Sequence, residues 1–174
     1  MVENKITTLN NLKNELQNCC NISDYLSLVK SLVLQKENFD DFCYFNKDKY
    51  NRNCIVRTDN YELILLCWNP GQKTPIHCHN SQECWMYIVS GEIKEEIFKL
   101  NNQKKLSLIK TTMFNSGKFG FINDDLGLHK ISNVSSSQSI SLHLYVKPID
   151  NCRCFNEKTG KFEMKKLIYD TQKY

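Results

Sequence analysis

From Tyr50 onward the chain is a succession of short apolar-rich segments, broken at near-regular intervals by turn residues. Few folds accept such a pattern. The segments expected as strands are 52–58, 61–68, 84–90, 92–100, 106–113, 117–122, 129–134, 139–147, 152–156 and 161–169. Between them fall Asp59-Asn60, Asn69-Pro70-Gly71, Ser90-Gly91, Asn101-Asn102, Ser116-Gly117, Asn123-Asp124, Ser135-Ser136-Ser137 and Thr159-Gly160. Many short strands at this spacing point to an all-β barrel or jelly-roll sandwich. The front of the chain reads differently. Ile6, Leu9, Leu12 and Leu16 recur at helical spacing within residues 5–19. Ser23 is the expected N-cap of a second helix, with Leu26, Val29 and Val33 as its stripe and Leu28 and Leu32 alongside. Asp40–Phe45 adds one more expected turn. Such stripes are packing surface.

The run 139–147 has a telling parity. Ser141, His143 and Tyr145 share one face of a strand, and Leu142, Leu144 and Val146 share the other. The polar face is expected to line an internal pocket. The leucine face then needs a cover, and the N-terminal helices are available to supply it.

The 174 residues suffice for one domain with its own core, and 41% hydrophobic against 24% charged residues is an ordinary globular balance. Net charge is +4, with no block of like charges, so nucleic acid and membrane surfaces are not expected partners. No apolar run approaches the roughly 18 residues that span a bilayer. Met1-Val2-Glu3-Asn4-Lys5 lacks a secretory pattern, and the expected location is cytoplasmic. Nine cysteines, an odd number without a CxxC pair, fit free thiols in a reducing compartment. Cys19-Cys20 reads as a pair of small buried helix residues.

His77 and His79, two of only four histidines, stand one residue apart after Pro75. On a strand, residues i and i+2 face the same way, so both rings can grip one divalent metal. Read alone, such a pair is more often two ordinary strand histidines than a metal clamp. His129, at the start of another expected strand, is a candidate third ligand. His143 remains for the pocket.

The stretch Gly71 to Gly91, with its HxH, resembles the first motif of the cupin family, except that Cys84 stands where most cupins have Glu. Glu83 also satisfies a looser form of the motif. His129-x-x-x-Asn133 resembles the end of the second cupin motif. More narrowly, the chain resembles cysteine dioxygenases, thiol dioxygenases of the cupin superfamily. The resemblance is carried by Leu66-Cys67-Trp68, Pro75-Ile76-His77-Cys78-His79, Cys84, Gly91-Glu92-Ile93-Lys94-Glu95, Ile122-Asn123-Asp124, Gly127-Leu128-His129 and Ser141-Leu142-His143-Leu144-Tyr145. Tyr50-Asn51-Arg52-Asn53 and Thr159-Gly160 fit as well.

The resemblance implies a mainly β fold: one cupin jelly-roll domain over 1–174, with residues 1–46 as a helical front and 50–170 as the β-barrel or sandwich. It implies Fe(II) held by His77, His79 and His129, one ion per chain. It implies L-cysteine and O2 as substrates and cysteine sulfinic acid as product, in cysteine catabolism toward taurine, and a monomer. It further implies that Arg52 binds the substrate carboxylate beside Tyr50, that Cys84 and Tyr145 can form a thioether cross-link, and that His143 hydrogen-bonds the Tyr145 hydroxyl. The chemistry is consistent. Three neutral imidazoles leave the metal charge uncompensated, which favours a substrate thiolate. A planar guanidinium suits a carboxylate better than an ammonium does. Cys78 should point away from the metal, and Cys152 matches a family cysteine near the pocket mouth. Other thiols remain open as substrates, 3-mercaptopropionate or cysteamine, although cysteamine gives Arg52 nothing to bind. A non-redox cupin holding zinc or manganese is the reading from another class.

Overall fold

The computed structural model describes residues 5–101 and 105–172. Residues Met1–Asn4 and Asn102, which belong to the expected N-terminal pattern and one expected turn, lie outside them. Two helices come first, α1 (Leu9–Leu16) and α2 (Ile22–Ser31), and a 3-10 segment follows at Lys36–Phe42. The strands are β1 (Asn51–Arg57), β2 (Tyr61–Trp68), β3 (Ile76–His77), β4 (Glu83–Ser90), β5 (Glu92–Leu100) and β6 (Leu106–Asn115). They continue with β7 (Phe119–Ile122), β8 (Leu128–Asn133), β9 (Ser139–Val146), β10 (Asn151–Asn156), β11 (Lys161–Lys166) and β12 (Thr171–Gln172).

The strands form two six-stranded sheets, ordered β12-β1-β2-β9-β4-β7 and β11-β10-β3-β8-β5-β6. They lie as a sandwich rather than a closed barrel. Pairing is antiparallel except between β1 and β12. The expected mainly β jelly-roll class is the observed one.

The first sheet is buried on both faces, which is why β2 is apolar along nearly its whole length rather than alternating. Leu63, Leu65, Trp85, Tyr87, Leu142 and Leu144 meet Leu12, Leu16, Tyr25, Leu28 and Val29 of the helices. The helical cover expected for the leucine face of residues 139–147 is therefore present. The alternate residues, Ile64, Leu66, Trp68, Cys84, Met86 and Tyr145, face Ile93, Ile97 and Ile131 of the second sheet. Gly91 turns β4 into β5 at φ 82°, and a Cβ there would lie 2.9 Å from the Ser139 backbone.

Several local expectations are corrected. Residues 5–8 are not helical: Ile6 bridges Leu32, with its N–H on the Ser31 carbonyl, and Thr8 caps α1. Asn21, not Ser23, caps α2, because Asp24 completes a reciprocal capping box with it. The buried stripe is Tyr25, Leu28, Val29 and Leu32, while Val33 is exposed. Cys19 and Cys20 lie between the helices, and Cys20 is exposed. The turn expected at Asp40–Phe45 is the end of the earlier 3-10 segment. The run 161–169 ends as a strand at Lys166.

Candidate metal centre

β3 is only two residues long, yet it stands between β10 and β8 and sets His77 directly opposite His129 in register. The expectation that one strand carries both residues of the HxH is corrected. His79 lies just past β3, held there by Asp124, whose Oδ1 accepts from the His79 N–H (2.6 Å) and Oδ2 from the Ser81 N–H (2.8 Å). Asn80 and Ser81 turn at positive φ, and this carboxylate hold stabilises that conformation. The three rings converge: their centroids are 4.5–5.3 Å apart. A potential ligand atom from each lies within 4.8 Å of the others.

The surroundings suit a metal. His129 Nδ1 faces Glu95 Oε1 at 2.8 Å, and His77 Nδ1 faces the Pro75 carbonyl at 3.0 Å. The Pro75 carbonyl can only accept, which puts the His77 proton on Nδ1 and leaves Nε2 free to coordinate; Glu95 does the same for His129 when it is ionised. His79 is almost fully buried with both ring nitrogens unpartnered, a costly arrangement that a metal ion would relieve. Burial holds the His79 and His129 pKa values well below the usual imidazole value, and His77 is lowered too. The shift is toward the neutral form that coordination requires. Burial pushes the Glu95 carboxyl up to about 7.

The cluster opens into a cavity of about 260 Å³, lined also by Tyr50, Arg52, His143, Tyr145, Cys152 and Cys154. Tyr50 stacks on Trp68 with centroids 4.6 Å apart. Arg52 is buried, and its Nε and Nη2 have no hydrogen-bond partner among the described residues. Cys84 and Tyr145 are directly opposite across β4 and β9, and the Tyr145 phenol lies against the Cys84 thiol and the Arg52 guanidinium. Burial raises both the thiol and the phenol pKa.

The expected hydrogen bond from His143 to the Tyr145 hydroxyl is not formed; the rings are nearly parallel, 6.3 Å apart. Instead Trp68 Nε1 donates to Ser141 Oγ (2.9 Å), which leaves the Ser141 hydroxyl to donate to His143 Nε2 (2.8 Å). The proton of a neutral His143 then sits on Nδ1, facing the Cys84 sulfur at 3.9 Å. Glu83 falls on the opposite side of β4 from Cys84 and belongs neither to the three-histidine cluster nor to the cavity wall. Cys78 packs with Ile76 and Leu128, away from the cluster. Cys152 and Cys154 place their sulfurs 3.5 Å apart.

Two residues that the sequence reading gave no role stand out. Glu95 interrupts the buried face of Ile93 and Ile97, and that interruption was a signal. Glu62 heads the apolar run of β2 and is completely buried. Its charge in that position was the corresponding signal.

Two facing, almost wholly antiparallel sheets, with three convergent imidazoles that could hold a metal ion, define a cupin-type protein. A solved structure from Klebsiella pneumoniae, described as an uncharacterized conserved protein with a double-stranded beta-helix domain, shares this fold. It has a TM-score of 0.52 at 14% identity and covers 74% of this chain and 95% of its own. The chain belongs to the cysteine dioxygenase type I family, whose sequence model matches residues 4–158. A Danio rerio relative named cysteine dioxygenase type 1 is 30% identical over 154 residues, spanning 86% of this chain and 77% of the relative. The Homo sapiens relative of the same name is 27% identical over 144 residues, 80% and 72% of the two chains. The protein is thus a thiol dioxygenase. Among the described residues no helix is long and apolar enough to cross a membrane.

Proposed function

We propose that this chain oxidises the thiol of L-cysteine with O2 to cysteine sulfinic acid, at Fe(II) held by His77, His79 and His129. The observation that carries this reading is Arg52: a buried guanidinium with two uncommitted donors, in the wall of the cavity that holds the three imidazoles. A carboxylate satisfies those donors in the forked geometry that arginine prefers. Bound iron supplies the redox chemistry that joins the sulfur to oxygen. The protein supplies the rest. Neutral imidazoles keep the site cationic and so favour the substrate as thiolate. Arg52, flanked by Tyr50, orients the amino acid by its far end. Tyr145 holds a phenol proton beside the guanidinium, and Cys84 stands where a thioether to that ring can form. The apolar walls, Leu66, Ile131 and Ile149, exclude water.

The names of the Danio rerio and Homo sapiens relatives support the same substrate. The test is aerobic incubation of iron-loaded protein with L-cysteine, followed by mass spectrometry. A product heavier by two oxygens is expected, with cysteamine turned over far less efficiently. Preferential oxidation of cysteamine, or of 3-mercaptopropionate over L-cysteine, overturns the assignment of substrate. Full occupancy by zinc without oxygen uptake overturns the assignment of metal.

A further inference from the structure

Glu62 lies on the inner face of β2, in line with Ile64, Leu66 and Trp68, and has no exposed surface. It sits opposite Tyr145 in the ladder between β2 and β9. Its Oε2 accepts from Arg57 Nη1 at 3.0 Å and from the Tyr169 hydroxyl at 2.5 Å. Arg57 Nη1 also donates to that hydroxyl at 2.8 Å, and its Nη2 donates to Asp150 at 2.9 Å. The other oxygen, Oε1, has no hydrogen-bond partner among the described residues and stands 3.6 Å from Arg52 Nη2. That separation is too long for a hydrogen bond and short enough for a strong Coulomb attraction in a buried setting.

We propose that Glu62 is a positioning residue for Arg52, holding its guanidinium in place by charge while leaving its donors free for an incoming carboxylate. The proposal rests on reading Arg52 as the carboxylate-binding group. Two features fit this role. A buried guanidinium without a countercharge is strongly destabilising, and Glu62 is the acidic partner the structure gives Arg52. Arg57 and Tyr169 restrain Glu62 through its other oxygen, so it does not close the gap and consume Nη2. Arg57 in turn is shared with Asp150, which is largely exposed. The cluster therefore neutralises enough charge to bury Arg52 and still presents a cation with two open donors to the cavity. A carboxylate engaged directly with Arg52 would compete with the substrate instead.

The experiment compares the wild-type full chain with Glu62→Gln, Glu62→Asp and Tyr169→Phe. Two readouts are used. The first is nitrogen-15 NMR of the Arg52 Nε–H, assigned by its loss in Arg52→Lys and followed by exchange with solvent. The second is the KM for L-cysteine set against that for cysteamine. Glu62→Gln is expected to speed exchange at Arg52 Nε and to raise the KM for L-cysteine about tenfold, with cysteamine changed less than about twofold. Glu62→Asp, which keeps the charge, should recover part of both effects. Tyr169→Phe should shift both in the same direction by less, and it decides the question if Glu62→Gln fails to fold. Equal KM changes for the two thiols, or unchanged Arg52 exchange in a folded Glu62→Gln, overturn the proposal. If wild-type protein discriminates neither thiol, the carboxylate reading of Arg52 fails by itself, and the exchange measurement still judges Glu62.

Discussion

At Arg52, burial with two open donors has a direct kinetic consequence. Replacing it by alanine removes a charge-assisted pair with the substrate, an effect of at least about 2 kcal/mol for buried pairs. Arg52→Ala is therefore expected to raise the KM for L-cysteine by roughly thirtyfold or more, and that for cysteamine little. Steady-state kinetics with both thiols check this, and equal effects remove Arg52 from the carboxylate. Cys84 makes a second residue-scale prediction. Cys84→Ser should abolish a fast-migrating, cross-linked band on denaturing gels while retaining some turnover. An identical single band in both proteins removes the thioether. That Arg52 reaches the cavity wall and Cys84 stands opposite Tyr145 was legible from the order of the motifs that carry the family resemblance. The surroundings of Glu62 were not, since its partners Arg57 and Tyr169 come from β1 and from a segment 107 residues downstream. The hydrogen-bond partner of His143 was misread for a related reason: rotation of the ring toward Ser141 depends on Trp68, from another strand.

The least legible elements are the ones that build the site. β3 has two residues, too few for any alternation to register, and β12 has two more. The longer strands were readable to within a few residues, because turn chemistry brackets them. The loop after β3 shows what this short element requires. Asp124 holds the backbone of both His79 and Ser81, so it sets where the His79 imidazole stands. Asp124→Ala is expected to weaken metal affinity about 10–100-fold, the scale seen when groups supporting a ligand are lost. Chelator competition measures it, and unchanged affinity in a folded variant refutes the role.

The molecule as a whole is a sandwich with a helical cover on one side and a cavity lined by three histidines between its sheets. Burial of the cavity governs its response to acid. Folding lowers the pKa of His77, His79 and His129, so the neutral, metal-competent form persists as the pH falls past the ordinary imidazole value. Bound metal is therefore expected to survive dialysis at about pH 6 and to be lost only in stronger acid. An exposed HxH would begin to lose it near about pH 6.5. Metal analysis after stepped dialysis decides between them, and loss already above about pH 6.5 contradicts the burial argument.

One more consequence follows from the late segment that closes over β1. Asp170 accepts from the Arg52 backbone 118 residues earlier in the chain, and Tyr169 grips Glu62. Translation delivers these anchors long after the three imidazoles. Among the described residues that line the cavity Asp170 is the last to be made, so the fastening of Arg52 comes after all three imidazoles in the order of synthesis.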